Sequence, residues 1–200
     1  MNKEELKKIV QTIESGLKLE DDTLIFNVPV PVFEVYIRDN EYELSVKAQK
    51  MLLDDGKWDY FVEYVNMHPL ANSVFKLALD KDEKYFAKCC YYGTLTYEHK
   101  KLAVSHKKAL RWIELMMDNA YSETSQWLSK PELDVPFVKM EGAEADRVLK
   151  RYMVDNLPLS DEAQLALFEK KEAKKWVQYY HQVKGLSGKA WDMAKDKGWI

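Results

Sequence analysis

Apolar residues recur at intervals of three and four along most of the chain, which is the spacing that places them on one face of an α-helix. The chain has seven Gly and six Pro, too few turn-forming residues for a sheet of many strands. The pattern therefore predicts a protein made mainly of helices.

The apolar pattern also repeats at a longer interval. An apolar residue followed by a small one recurs six times, at separations of 26, 25, 26, 38 and 27 residues. The pairs are Leu44-Ser45, Leu70-Ala71, Leu95-Thr96, Tyr121-Ser122, Leu159-Ser160 and Leu186-Ser187. Because an apolar stripe at helical spacing follows each pair, we expect the Ser or Thr to cap the first turn of a helix.

An aromatic-rich apolar stripe precedes each pair, so each unit is predicted to contain two helices joined by a tight turn. A hairpin of about 25 residues cannot bury both of its apolar stripes alone, so neighbouring hairpins must stack. The sequence therefore predicts an all-α solenoid of about six short hairpins.

Two segments depart from the repeat. Pro29 and Pro31 disfavour helix near 21–32, where we expect an irregular strap or a short β-strand. Pro131, Pro136 and Gly142 predict an insertion loop at 129–146, either a binding loop or a plain connector. The whole chain is predicted to be one domain, divided into an N-terminal helix at 1–18, the strap at 19–32, repeats at 33–128, the insertion loop at 129–146 and further repeats at 147–200.

Two units share a more specific pattern. Leu159, Ser160, Ala163, Gln164 and Tyr179 recur as Leu44, Ser45, Ala48, Gln49 and Tyr64. This pattern resembles the short helical repeats of uncharacterised bacterial proteins, which begin with Leu-Ser-x-x-Ala-Gln. The middle units lack the Gln. The resemblance implies a HEAT-like, right-handed α-solenoid, and no catalytic residue comes with it.

Composition narrows the function classes. The net charge is −3, so no overall positive field attracts nucleic acid or an anionic membrane. The only cysteines, Cys89 and Cys90, are adjacent, which fits neither a disulfide framework nor a zinc site and favours reduced thiols in the cytoplasm. The first residues have the charge pattern of neither a signal peptide nor a membrane span.

The chain lacks the strong short motifs of enzymes: the phosphate-binding loop, the nucleophile elbow and HExxH. His99 and His106 are seven residues apart and could share a helix face as metal ligands or acid–base groups, or His106 could simply end a helix. Cys89 and Cys90 could be reactive thiols or small core residues. We predict no enzyme activity and no cofactor.

Two kinds of partner remain. Exposed Tyr and Trp favour a protein or peptide, and the candidates for its contact residues are Tyr91, Tyr92, Tyr179, Tyr180 and Trp191. Rows of basic side chains favour the phosphates of a nucleic acid, and these candidates are Lys100, Lys101, Lys107, Lys108, Arg111, Lys174 and Lys175. Acidic neighbours interrupt the basic rows, so the alternative is an ordinary solvated face. We expect a binding scaffold for a protein or peptide, with nucleic acid as the alternative.

Overall fold

The computed structural model describes residues 1–119, 130–155 and 158–200, and within these ranges the chain is helical with no β-strand. The α-helices are α1 (Lys3–Glu14), α2 (Val30–Glu34), α3 (Val46–Met51), α4 (Trp58–Met67), α5 (Asn72–Lys81), α6 (Glu83–Tyr91), α7 (Tyr97–Val104), α8 (Ala109–Asn119), α9 (Pro131–Val138), α10 (Ala143–Asp155), α11 (Asp161–Ala166), α12 (Ala173–Val183) and α13 (Gly188–Asp196). Two 3-10 helices lie at Asp22–Asn27 and Leu167–Glu169, and a π-helix at Val35–Asp39 extends α2.

These helices form two compact units, Met1–Thr96 and Tyr97–Ile200, whereas the sequence predicted one continuous domain. In unit 1 the 3-10 helix at Asp22–Asn27, α3 and α5 contact one another in that order and form a first row. The second row contains α2, α4 and α6 in the same way, and α1 packs against the beginning of both rows. The core between the rows holds large aromatic side chains with no exposed surface, Phe33, Tyr36, Phe61, Tyr64 and Phe86.

Unit 2 repeats the two-row arrangement. Helices α7, α9, α11 and α13 contact one another in order as the first row, and α8, α10 and α12 form the second row. Trp112, Phe137, Tyr152 and Tyr180 fill the core between them. Their burial supplies most of the stabilisation, because a helix of six to eleven residues is marginal in water by itself.

A lysine ties neighbouring first-row helices together at the turn that leads into the second row. The ammonium group of Lys57 donates to the carbonyl of Phe26 at 3.0 Å, and that of Lys170 donates to the carbonyl of Val138 at 3.1 Å. Lys81 donates to the Leu53 carbonyl in the same way. Phe26 and Val138 lie at the end of a helix and Leu53 lies just after one, so these carbonyls lack a partner within the helix and accept from the lysine instead.

The strap predicted near 21–32 is wrong, because a 3-10 helix occupies Asp22–Asn27 and α2 begins at Val30. The two prolines do not prevent this arrangement. Pro29 is the residue before the first helical position and Pro31 lies in the first turn, where a helix has no use for a backbone N–H donor.

The insertion loop predicted at 129–146 is also wrong, since α9 occupies Pro131–Val138 and α10 begins at Ala143. Pro131 starts α9, a position that favours proline, and Pro136 removes one donor only two residues before the helix ends. Leu133 and Val138 have no exposed surface and Phe137 is 1% exposed, so α9 is a regular member of the first row. The predicted repeat start at Tyr121-Ser122 lies outside the described residues.

No helix in the described ranges is both long enough and apolar enough to cross a lipid bilayer.

Candidate functional site

Each unit contains a buried aspartate that accepts hydrogen bonds from the serine before the next first-row helix. In unit 1 the Asp22 carboxylate accepts from the backbone N–H of Ser45 and, at 2.7 Å, from its hydroxyl. In unit 2 the Asp134 carboxylate accepts from the backbone N–H of Ser160 at 2.7 Å and from its hydroxyl at 2.8 Å. The same four-atom contact therefore occurs twice in the chain.

The two serines also cap the helices that they precede. The hydroxyl oxygens of Ser45 and Ser160 each accept from the backbone N–H three residues further on, at 3.2 Å. The predicted capping role is therefore confirmed at these two positions. At Ser187, which precedes α13, the side chain makes no such bond.

A glutamine four residues after each serine continues the connection to the next helix. The Gln49 carbonyl oxygen accepts from the backbone N–H of Ala71 at 2.7 Å, and the Gln164 carbonyl oxygen accepts from that of Ser187 at 2.9 Å. Each glutamine amide also donates to the backbone carbonyl five residues before it, at 2.8 and 3.0 Å. We call these sets the bridges: Asp22, Ser45 and Gln49 in unit 1, and Asp134, Ser160 and Gln164 in unit 2.

Burial sets the electrostatics of the second bridge. Asp134 has no exposed surface, and desolvation raises the pKa of its carboxyl group from 3.8 to about 6, against the opposing effect of the Ser160 donors. Tyr180, whose hydroxyl accepts from the backbone N–H of Leu159 at 2.8 Å, is buried beside it, and burial raises the pKa of that phenol. The bridge therefore holds the beginnings of neighbouring first-row helices in place.

In the described ranges no group of His, Cys, Asp and Glu side chains is arranged to hold a metal ion. Cys89 and Cys90 are each 2% exposed, and burial raises the pKa of the Cys89 thiol to about 12. A thiol with so high a pKa is a weak nucleophile at neutral pH, which favours the core role over the reactive one.

His99 and His106 are placed in different surroundings. His99 is buried in α7 at 1% exposure, whereas His106 lies in the turn after α7. The Nδ1 atom of His106 accepts from the indole N–H of Trp112 at 2.9 Å and from the backbone N–H of Lys108 at 3.1 Å. His106 therefore holds the start of α8, a structural role.

The predicted aromatic contact residues differ in exposure. Tyr91 is 49% exposed at the end of α6, and Trp191 is 40% exposed in α13. Tyr92 and Tyr179 are partly exposed. Tyr180 is fully buried and its hydroxyl is bonded to the backbone, so it belongs to the core and is not accessible as a contact residue for a partner.

Trp191 lies in α13 at the position that corresponds to the bridge glutamines of α3 and α11. It lies four residues after Ser187, as Gln164 lies four residues after Ser160 and Gln49 four after Ser45. In α3 and α11 the side chain at this position accepts a hydrogen bond from the backbone N–H of the residue just before the next first-row helix. In α13 the indole ring instead packs against His181, with ring centres 5.2 Å apart, and leaves part of its surface to solvent.

One predicted basic row extends from α7 through the following turn into α8, and the other lies in the first turn of α12. Lys101 pairs with Glu98 at 3.4 Å and Lys175 pairs with Glu172 at 2.8 Å, which neutralises part of each row. Lys108 lies over the Trp112 ring. Lys107, Arg111 and Lys174 are exposed and Lys100 is partly exposed, so each remains accessible to solvent.

The order of helix contacts places two glutamates between these basic residues: Glu141 in the turn from α9 to α10, and Glu144 in the first turn of α10. Glu141 also lines an open groove of about 450 Å³ together with Lys170 and Trp176. The Lys170 ammonium group is already bound to the Met140 carbonyl at 2.9 Å, besides that of Val138. The basic side chains are therefore interrupted by acidic ones and do not form a continuous positive groove.

Sequence reasoning missed the two aspartates of the bridges. Each begins a similar short pattern, an aspartate followed three and four residues later by two buried apolar residues, at Asp22-Ile25-Phe26 and Asp134-Phe137-Val138. The shared spacing was a usable signal. The prolines in or beside both segments predicted non-helical structure there, so this shared spacing was not recognised as a helical pattern.

No family model, no curated protein and no solved structure matches this chain. Its function is therefore inferred from the residues described above.

Proposed function

We propose that the chain is a non-catalytic scaffold that binds a protein or a peptide through exposed aromatic side chains. The observation that carries the proposal is the exposure of Tyr91 and Trp191, at 49% and 40%, whereas the other rings of α6, Tyr85 and Phe86, are buried. Tyr and Trp give much of the binding energy at protein interfaces, because they bury a large area at a low cost in conformational entropy.

The scaffold itself is proposed to be a right-handed, HEAT-like solenoid within each unit. The order of contacts in the first and second rows supports this arrangement, as do the lysines that reach from one helix to the preceding one. Such stacking leaves the ends of the helices and the last helix of a row available to a partner.

The nucleic-acid alternative has less support. The basic rows that would bind phosphates are partly neutralised by Glu98 and Glu172 and are separated by Glu141 and Glu144. A protein that neutralises several phosphates loses affinity steeply with salt, so this alternative becomes an outcome of the experiment below.

The test is capture by immobilised protein from a lysate of the source organism, with and without nuclease treatment. We expect a protein to be retained by the wild type and by Leu77→Ala, a control at a 47% exposed apolar site. The double variant Tyr91→Ala/Trp191→Ala is expected to retain about tenfold less of it. Equal retention by all three forms would overturn the proposal, and retention that disappears on nuclease treatment would favour the alternative.

A further inference from the structure

We infer that one face of α6 binds an acidic peptide segment of the partner protein, whose carboxylates pair with Lys84 and Lys88 while an apolar side chain packs on Tyr91. This inference rests on the proposed scaffold function and names the chemistry of the partner at one of the two exposed rings. The residues of this face belong to α6, its C-terminal turn and α4 of unit 1. We call the set the basic–aromatic face: Trp58, Lys84, Lys88, Tyr91 and Tyr92.

Ring contacts and helix spacing place these five side chains on one surface. The ammonium group of Lys84 lies over the Trp58 ring of α4, 4.8 Å from the ring centre. The ammonium group of Lys88 lies over the rings of Tyr91 and Tyr92, at 5.3 and 5.6 Å. Lys88 follows Lys84 by four residues and precedes Tyr91 by three, which is the spacing of neighbours on one side of a helix.

Every member of the basic–aromatic face is accessible to solvent. Tyr91 is 49% exposed and Lys84 is exposed, and the other three members are partly exposed. Trp58 packs against the buried rings of Phe61 and Tyr85, with ring centres 5.5 and 5.3 Å apart. The aromatic part of the face is therefore held in place before a partner arrives, which lowers the conformational entropy lost on binding.

Both ammonium groups on this face have unused hydrogen-bond donors. Within the described residues neither Lys84 nor Lys88 forms an ion pair or donates to an oxygen, and their contacts are with aromatic rings. An ammonium group carries three N–H donors, so each lysine can bind a carboxylate without giving up a protein acceptor. The cation–π contacts keep both charges at the surface, where a carboxylate can approach from solvent.

The immediate surroundings of the two lysines are not acidic. Within α6 the residues three and four positions away from each are Ala, Lys or Tyr. Asp82 precedes α6 and accepts from the backbone N–H of Lys84 at 3.0 Å. Glu83 and Asp59 are each adjacent in sequence to a member of the face and so lie about 100° round their helices from it. Carboxylates of a partner therefore complement the charge of the face.

The number of available lysines favours a peptide over a nucleic acid. Lys81, one turn before Lys84, is already paired with Asp55 at 3.6 Å, which leaves the two lysines of the face. A protein that binds nucleic acid through about six to ten phosphates needs more cations than this face has. A peptide with two carboxylates matches it, because residues four apart on a helix or two apart in an extended chain are separated by about 6 Å.

The probe is a labelled synthetic peptide of about 12 residues with Glu on both sides of a central Phe, long enough to span the roughly 10 Å from Lys84 to Tyr91 along α6. Fluorescence anisotropy measures its binding to the full chain. A second peptide with Gln in place of each Glu keeps the length and the Phe and removes the charge. We expect the Gln peptide to bind about tenfold more weakly at low salt. Equal binding of both peptides, or of neither, would overturn the inference, as would tighter binding of a thymidine oligonucleotide of the same length.

Charge reversal locates the site on α6. The double variant Lys84→Glu/Lys88→Glu is expected to bind the acidic peptide about tenfold more weakly or worse, and a peptide with Lys in place of Glu should bind this variant better than the wild type. Lys50→Glu/Lys76→Glu is the matched control, because it makes the same change in net charge at two exposed first-row lysines of unit 1. The control should bind as the wild type does. Unchanged binding to Lys84→Glu/Lys88→Glu, or an equal loss in the control, would contradict the inference.

The lysate capture separates this inference from the proposed function. A partner that is lost with Tyr91→Ala/Trp191→Ala and retained by Lys84→Glu/Lys88→Glu would leave the scaffold function standing and overturn the binding of an acidic segment at α6. A partner retained by Tyr91→Ala/Trp191→Ala would remove the function itself. A partner lost from both double variants supports both proposals.

Discussion

Helices α5 and α13 occupy corresponding places after the bridge of their unit, and each carries a large aromatic ring at the same position. Four residues after the residue that the bridge glutamine binds, α5 has Phe75 with no exposed surface, whereas α13 has Trp191 at 40% exposure. Two large rings at the same place in the same kind of helix therefore have different surroundings. Phe75 packs against Phe86 of α6, with ring centres 5.9 Å apart, whereas Trp191 packs against His181 of α12. The bridge therefore positions a helix, and other helices determine which of its rings are buried.

The largest loss of stability is expected for Phe75→Gln, which would place an amide in the core of unit 1. Loss of the buried ring and burial of an unpaired polar group should together lower the free energy of unfolding by about 4 kcal/mol. Urea unfolding followed by circular dichroism measures it. A loss below about 1 kcal/mol would contradict the buried assignment.

Asp134→Asn tests, through pH, the burial of the carboxyl group in the second bridge. The pKa of Asp134 is raised from 3.8 to about 6 in the folded protein, so the folded state holds more protons between these pH values. The contribution of this group to stability is therefore highest below pH 4 and is lost as pH rises to about 6, by on the order of 3 kcal/mol.

The difference in unfolding free energy between wild type and Asp134→Asn isolates that contribution, because the other titrating groups are common to both. Urea titrations at several pH values from about 4 to about 7 should show the wild type losing stability relative to the variant as pH rises. A difference that is constant with pH, or that changes in the opposite direction, would show that burial does not control this carboxyl group.

Gln164→Leu and Gln49→Leu compare the two bridges directly. Each removes a bond to the next helix, and Gln164 also donates to the hydroxyl of Ser187 at 3.0 Å. We expect a loss of about 2 kcal/mol for Gln164→Leu and a smaller one for Gln49→Leu, since a partly buried N–H is left unpaired in both. Thermal unfolding ranks them, and two variants as stable as the wild type would show that the bridges are dispensable.

The smallest expected change in stability is that of Trp191→Gln. The ring is already partly in solvent, so its removal should cost less than about 1 kcal/mol of unfolding free energy, well below the cost at Phe75. The same urea titration measures both. A loss as large as that of Phe75→Gln would place Trp191 in the core and end its candidacy as a binding residue.

The sequence predicted what depends on local pattern. The helical class follows from the spacing of apolar residues, and the caps at Ser45 and Ser160 follow from residue type and position. The serine at 187 shows the limit of that reasoning, because it precedes a helix without capping it through its side chain. Its hydroxyl instead donates to Asp161 at 2.8 Å. Because Asp161 belongs to another helix, the local sequence around Ser187 does not predict this bond.

What the sequence could not predict depends on contacts between distant segments. Prolines suggested a strap and a loop, yet packing supports helices in both segments because the prolines stand where no donor is needed, or close to a helix end. The aspartates of the bridges lie 23 and 26 residues before their serines, beyond the reach of local pattern. Likewise, Tyr179 and Tyr180 are adjacent in sequence, and only the fold distinguishes the partly exposed ring from the buried one.

Hydroxyl-radical footprinting of the tryptophan side chains tests the scaffold account most directly. The protein is oxidised alone and again after it has captured its partner from lysate, and the modified residues are located by mass spectrometry. The account predicts that Trp191 is oxidised in the free protein and protected in the complex, whereas the buried Trp112 and Trp176 stay unmodified in both. Equal oxidation of Trp191 with and without the partner would contradict it.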